Sequence, residues 1–134
     1  MASGIYERFK ANLMNKEVDL DTDEIHVSLL DSNHSFTSTH NDWTDVEANE
    51  ISGTGYTASG ATLANTAVTQ GNVTKWDADD VAWTTATFTA NHAVIHDKTN
   101  AGNLIASIDF GGAQQVTSGT FTIQWHGSGI ITLT

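Results

Sequence analysis

The chain has 134 residues and a formal net charge of −11 at pH 7, with five Lys and Arg residues against sixteen Asp and Glu. This length predicts one domain with its own apolar core. Phosphate backbones and anionic lipid surfaces are bound through clustered basic side chains, so this charge argues against nucleic acid and membrane partners. Because the sequence contains no cysteine, disulfides and thiolate metal sites are excluded.

The N-terminal residues predict a short helix over residues 4–15. Ile5, Phe9 and Leu13 recur at four-residue spacing, and Ser3 is placed to cap the first turn. We expect residues 1–16 to form a helical arm and residues 17–134 a β domain, within one domain overall. Charged residues interrupt this segment and no long apolar run follows, so neither a signal peptide nor a membrane span is expected, and synthesis should be cytosolic.

The remaining chain predicts a mainly β fold. In residues 24–30, Ile25, Val27 and Leu29 alternate with His26 and Ser28, which is typical of a half-buried strand. A polar loop with one helical turn is predicted for residues 35–49, and a second loop for residues 111–119. Further strands are predicted at residues 62–70, 73–77, 81–83, 87–97, 104–110, 120–126 and 130–134. The pattern favours a single-domain antiparallel β-sandwich or a barrel-like fold, which share the same alternation.

Candidate metal and catalytic sites are weak. Asp77, Asp79 and Asp80 lie in a predicted hairpin turn and could hold a cation, but aspartate also favours turns by bonding its own backbone. His92 and His96 are four residues apart in a predicted strand, which separates them by roughly 13 Å. The six histidines are therefore expected at the surface and in loops. No nucleophile motif is present, so we expect no enzyme activity, metal or cofactor.

The four tryptophans admit two interpretations. They could form a carbohydrate-stacking platform, or they could pack in the core. Trp83 and Trp125 lie in strand patterns with apolar neighbours, which favours the core. Trp43 lies in a polar loop and is a candidate contact residue.

One glycine-rich run is specific enough to suggest a family. Residues 50–64 read EISGTGYTASGATLA, in which Gly53, Gly55 and Gly60 suit tight turns and Tyr56 supplies an apolar ring with a polar tip. The run predicts a structured loop that leads into a strand. It resembles a motif of small structural proteins in tailed bacteriophage virions, and segments near residues 6–31, 75–83, 93–95 and 119–134 are similar to the same family.

The resemblance implies a non-enzymatic structural role in the virion. Among such proteins, we expect a capsid decoration (cement) protein that forms a homo-oligomer and binds the major capsid protein or other virion proteins. The alternatives are a neck or tail component, or a surface module that binds a receptor or glycan. The apolar and basic residues of the N-terminal arm, together with the loop tryptophan, are the predicted partner interface: Ile5, Tyr6, Arg8, Phe9, Lys10, Leu13 and Trp43.

Overall fold

The computed structural model describes residues 3–134, which form one helix, eight strands and two single-turn 3-10 helices. The helix is α1 (Glu7–Asn15), and the 3-10 turns span Trp43–Asp45 and Glu47–Asn49. The strands are β1 (Gly4–Ile5), β2 (Ile25–Leu30), β3 (Ala61–Thr62), β4 (Ala67–Thr69), β5 (Thr74–Asp77), β6 (Val81–Asp97), β7 (Asn103–Ile123) and β8 (Ile131–Leu133).

The strands form two antiparallel sheets. The larger sheet has the order β1-β7-β6-β2-β3, and the smaller has the order β4-β5-β8. The prediction of a mainly β domain with a short N-terminal helix is confirmed, and the two sheets are consistent with a single-domain sandwich. No helix within residues 3–134 is long and apolar enough to cross a membrane.

β6 and β7 form one long hairpin, where separate shorter strands and a loop at residues 111–119 were predicted. That prediction was wrong because the pairing continues through irregularities in register. Thr85 and Ser118 take left-handed backbone conformations, with φ of 50° and 46°, beside two of these shifts. Such bulges absorb extra residues while the ladder carries on, so local turn signals do not end the strands.

The core has two parts, one on each face of the larger sheet. The main cluster lies on the face that carries Ile25, Val27 and Leu29, and it includes Trp76 and Trp83. A smaller cluster on the opposite face is formed by Tyr6, Leu30, Val46, Val94 and Leu104. Every residue of β2 is buried, so the half-buried strand predicted there is wrong. The long loop after β2 covers the second face, with Phe36 and Trp43 packed against it.

The N-terminal segment is part of the domain rather than a separate arm. Gly4 and Ile5 pair with β7, so the helix begins three residues later than predicted. The predicted Ser3 cap is also wrong, since Tyr6 is the N-cap residue and the Ser3 hydroxyl accepts a hydrogen bond from the Asp109 amide instead. The first two residues of the predicted arm lie outside the described residues.

Candidate functional site

The predicted interface residues divide into a buried set and an exposed set. Tyr6 and Phe9 are buried in the two clusters of the core. The prediction of Tyr6 as a partner contact is therefore corrected, and Phe9 is accessible only at the floor of the groove described next. Arg8 and Lys10 are exposed on α1, and Ile5 and Leu13 are each 36% exposed. Trp43 is half-buried, because its ring packs on the larger sheet.

An apolar groove lies between α1, the segment after it and the smaller sheet. Its volume is about 370 Å³, and buried Phe9 and Trp76 form its deepest part. Leu13, Val68 and Leu133 line its more exposed part, and Leu133 at the edge of the sheet is 59% exposed. Scattered exposed apolar residues are normal in soluble proteins, whereas an apolar concavity of this kind is a candidate site for binding another molecule.

Local structure explains why these side chains meet. Phe9 and Leu13 are four residues apart on α1 and therefore share one helix face. The chain then leaves the helix at Lys16, which has a left-handed φ of 64°. The following segment is held to the smaller sheet because the Trp76 indole N–H donates to the Leu20 carbonyl oxygen over 2.9 Å.

The groove has a different charge balance from the rest of the chain. Lys16 and Lys75 line it, and Asp19 is its one acidic lining residue. Arg8 and Lys10 lie on the same helix. The chain as a whole carries a net charge of −11, whereas the groove lining has two basic residues against one acidic residue. The groove therefore suits an apolar segment that carries carboxylates.

The acidic turn does not occupy a hairpin, which corrects that prediction. β5 belongs to the smaller sheet and β6 to the larger, so residues 77–80 connect the two sheets. Asp77 Oδ1 accepts a hydrogen bond from the Ala78 amide, and Asp80 Oδ1 accepts one from the Trp125 amide. Asp79 Oδ2 accepts one from Asn65. These carboxylates fix the connection through backbone and amide donors.

Four of the six histidines are buried. His34 lies in the loop after β2, as predicted, whereas His26, His92 and His96 lie in strands on the second face of the larger sheet, which corrects the surface or loop position expected for them. The loop of residues 31–49 covers His92 and His96, and Ser59 contacts His26. His26 and His96 are cross-strand neighbours with ring centroids 5.7 Å apart, and His34 packs edge-on against His92 at 5.0 Å. The alternation of polar residues along β2 gave no signal that they were buried.

Two of these histidines form hydrogen bonds with buried serines. Ser28 donates its hydroxyl proton to the Ser59 carbonyl oxygen over 2.7 Å, and the His96 Nε2 atom lies 2.9 Å from the same hydroxyl oxygen. Since the only hydroxyl proton is engaged, the network makes His96 Nε2 the donor. His96 therefore does not act as a base toward Ser28. His34 Nε2 and the Ser107 hydroxyl form the second pair, at 3.0 Å.

Burial lowers the pKa of two of these histidines. Desolvation is the largest effect on His34 and His96, and it lowers the pKa of each to about 4. Neighbouring histidines act in the same direction, His92 on His34 and His26 on His96. Within residues 3–134, no three histidine, aspartate or glutamate side chains are arranged to hold a metal ion.

The glycine-rich run is a structured loop, and Gly53 and Gly60 lie so close to neighbouring strands that no side chain would fit there. An added Cβ at Gly53 would lie 2.7 Å from the Thr87 carbonyl oxygen, and one at Gly60 would overlap the Val27 carbonyl group. The Glu50 carboxylate accepts hydrogen bonds from the Tyr56 hydroxyl and the Ser59 amide. The run therefore holds itself against β2 and β6.

The tryptophans are used in packing. Trp76 and Trp83 are buried in the main cluster, and Trp125 packs against that cluster while its indole N–H donates to the Asp79 carbonyl oxygen. Trp43 belongs to the smaller cluster on the other face of the sheet. The four rings are thus divided between two cores, and this arrangement does not support a carbohydrate platform.

Comparisons with protein-family models, curated proteins and solved structures found no match to this chain. The likeness to phage virion proteins rests on the sequence motifs.

Proposed function

We propose that this chain is a non-enzymatic structural protein of a bacteriophage virion, and that it decorates the capsid by binding the major capsid protein. The observation that carries this proposal is the apolar groove with its local basic side chains. The groove would take an apolar segment with carboxylates from the capsid protein, because Lys16 and Lys75 lie beside Phe9, Leu13 and Leu133. A decoration protein stabilises a head through such contacts and needs no chemistry.

Other features support the same proposal. The described histidine, serine and aspartate clusters make internal hydrogen bonds that hold the fold together. The strongly acidic chain would be repelled by packaged nucleic acid, which favours the outer surface of the head over its interior. The virion location and the capsid partner both follow from the proposed role.

Co-sedimentation with capsids that lack the protein tests the proposal. We expect saturable binding at a fixed ratio to the capsid protein, on the order of hundreds of copies per head because the capsid site repeats with its symmetry. Binding to isolated tails, or a stoichiometry of about six or twelve, would contradict decoration and favour the neck or tail alternative.

A matched pair of variants distinguishes the loss of groove contacts from the general effect of an added negative charge. Leu133→Asp places a carboxylate in the groove, whereas Val73→Asp makes the same change at a side chain that is 54% exposed and does not line it. We expect Leu133→Asp to weaken capsid binding by about tenfold or more, since it desolvates a charge against apolar side chains. Equal binding by the two variants would refute the groove as the docking site.

A further inference from the structure

The second half of β7 has a strand on one side only. β6 pairs with β7 along its length, but on the other side β1 reaches only Ala106 and Ser107. From Gly112 to Ile123, no second strand within the described residues pairs with β7. The free edges of β1, β3, β4 and β8 are only two or three residues long, and the outer side of β6 from Val81 to Asn91 is the other long edge that pairs with no strand.

The opposite side of the same ribbon is covered. The glycine-rich loop lies along β6, where Thr54 and Thr87 form an isolated antiparallel bridge. Gly55 allows the loop to approach Ala86 so closely that an added Cβ would lie 2.9 Å from its Cα atom. One edge of the ribbon is thus protected by the loop, while the β7 edge stays open.

A shallow trough of about 570 Å³ accompanies the open edge. Every residue that lines it belongs to β7 or directly follows that strand. Apolar Phe110 and Phe121 contact each other in it, with ring centroids 6.1 Å apart, and Gln114, Thr120 and Thr122 supply polar groups. The trough therefore shows that no other element of the described chain covers this part of β7.

Charge and proline, two usual protections of a free edge, are missing here, while a bulge is present beside Ser118. Edge strands commonly carry charged side chains or proline, which prevent pairing with another chain. No residue between Asp109 and His126 is charged, and the sequence contains no proline. The run from Thr120 to Ile123 consists of β-branched and aromatic residues, which favour an extended strand.

We propose that this edge, defined by Gly112–Ile123, pairs with the same edge of a second copy to form a two-fold symmetric dimer. The distribution of charge on the chain favours a second copy as the partner at this edge. Two copies that each carry −11 repel one another over most of their surfaces, and the uncharged edge is a place where they meet without facing carboxylates.

Self-complementarity gives a second argument for the same occupant. Antiparallel pairing of identical strands satisfies their outward amide and carbonyl groups reciprocally and closes at two copies. Glutamine and threonine side chains both donate and accept hydrogen bonds, so Gln114, Thr120 and Thr122 can bond to polar groups of the same edge in the second copy. The dimer surface lies on β7 and is distinct from the groove at α1 and β8.

Sedimentation equilibrium of the purified full chain tests the dimer without any capsid, so its outcome is independent of the proposed decoration role. We expect a concentration-dependent increase from the 14.3 kDa monomer to twice that mass. Hydrogen exchange should show protection of amides in residues 112–123 that grows with protein concentration.

Thr122→Lys is the diagnostic variant. It places a lysine on the uncharged edge of each copy while it lowers the overall negative charge, so general electrostatics would favour association. We expect it to raise the dimer dissociation constant by about tenfold or more, since a lysine on an edge strand opposes pairing with another chain. Thr89→Lys makes the same change at an exposed position on β6 and should leave the dimer intact.

Three results would overturn the proposal. These are a monomer at all concentrations, a closed oligomer other than a dimer, or an association that Thr122→Lys leaves unchanged. Near-ultraviolet circular dichroism of the tryptophans would verify that each variant remains folded.

Discussion

Trp43 lies flat on His96, with ring centroids 4.5 Å apart and an interplanar angle of 11°. Trp43 lies in the loop after β2, and His96 lies on β6, a central strand of the larger sheet. This stack therefore holds the loop against the second face of that sheet. His96 is in turn hydrogen-bonded to Ser28. The contact therefore connects the smaller apolar cluster with the buried, hydrogen-bonded side chains of His96 and Ser28.

We expect Trp43→Ala to lower the free energy of unfolding by about 1–3 kcal/mol, since the substitution removes a large half-buried ring and its stacking. Urea denaturation followed by far-ultraviolet circular dichroism measures the change. Trp43→Phe, which keeps an aromatic face, should recover part of the loss. Unchanged stability in Trp43→Ala would show that the loop is held by its other contacts.

Stability should fall as the pH drops from about 6.5 to 4, because His34 and His96 are neutral in the fold. Each has a folded pKa of about 4, below the ordinary 6.5, so the unfolded chain binds more protons between these values. Their contribution is complete above pH 6.5 and is lost as the pH falls through 4. The expected slope is about 1.4 kcal/mol per pH unit for each histidine.

Chemical denaturation at pH 7 and pH 5 tests this dependence. His96→Gln should remove most of the net difference between the two pH values, because the lowered pKa of the remaining His34 and the raised pKa of Asp97 act in opposite directions and nearly cancel. The exposed His126→Gln serves as the control and should not alter the difference. An identical pH dependence in His96→Gln and the original chain would exclude His96 as a source of the acid sensitivity.

The titration of Asp97 should change stability with pH in the opposite direction to that of the two histidines. Burial, followed by the neighbouring Asp23 carboxyl, raises the pKa of Asp97 to about 7. The protonated form is favoured in the fold, so this contribution is present below about pH 3.8 and is lost as the pH rises through 7. The two histidines together outweigh it between pH 4 and pH 6.5.

Asp97→Asn should therefore raise stability at pH 8 by about 1–3 kcal/mol, because the amide keeps an oxygen for the Asn100 N–H without a buried charge. The gain should shrink toward pH 4. Asp21→Asn removes an exposed carboxylate and provides the control. A loss of stability in Asp97→Asn at pH 8 would refute the raised pKa as a destabilising factor.

Gly60 and Gly111 allow steric and conformational effects to be separated. Both have positive φ, 80° and 81°, but an added Cβ at Gly60 overlaps Val27 whereas nothing lies within 4 Å of one at Gly111. We expect Gly111→Ala to destabilise by about 1 kcal/mol from backbone strain alone. Gly60→Ala should lose about 2–3 kcal/mol more, because β2 must move. Thermal unfolding compares them, and equal losses would contradict the close approach.

Leu13→Asp and Ile5→Asp test how the N-terminal segment contributes to capsid binding. The two side chains have equal exposure, 36%, but only Leu13 lines the groove. Leu13→Asp should reduce co-sedimentation with capsids by about tenfold, and Ile5→Asp should not, because only the first places a charge in an apolar contact. Point substitutions are preferable to a deletion of the helix, because a deletion would also remove Tyr6 and Phe9 from the core. Equal binding by both would contradict this assignment.

Several features could be predicted from the sequence because their physical causes are local. Alternation identified β2 and its core face, the residue spacing identified most of α1, and the glycines marked a structured loop. The composition excluded disulfides, and the charge argued against nucleic acid. The resemblance of residues 50–64 to a virion motif supplied the functional hypothesis, which the experiments above test.

The tertiary structure alone decided what covers each face. Whether His92 and His96 meet solvent depends on the loop of residues 31–49, and the alternation of residues within a strand does not predict that contact. The groove and the open edge of β7 also arise from elements distant in sequence, because each is defined by which neighbours a strand or helix has. A sequence pattern reports the periodicity of one element, whereas burial and exposure are set by the long-range packing of several.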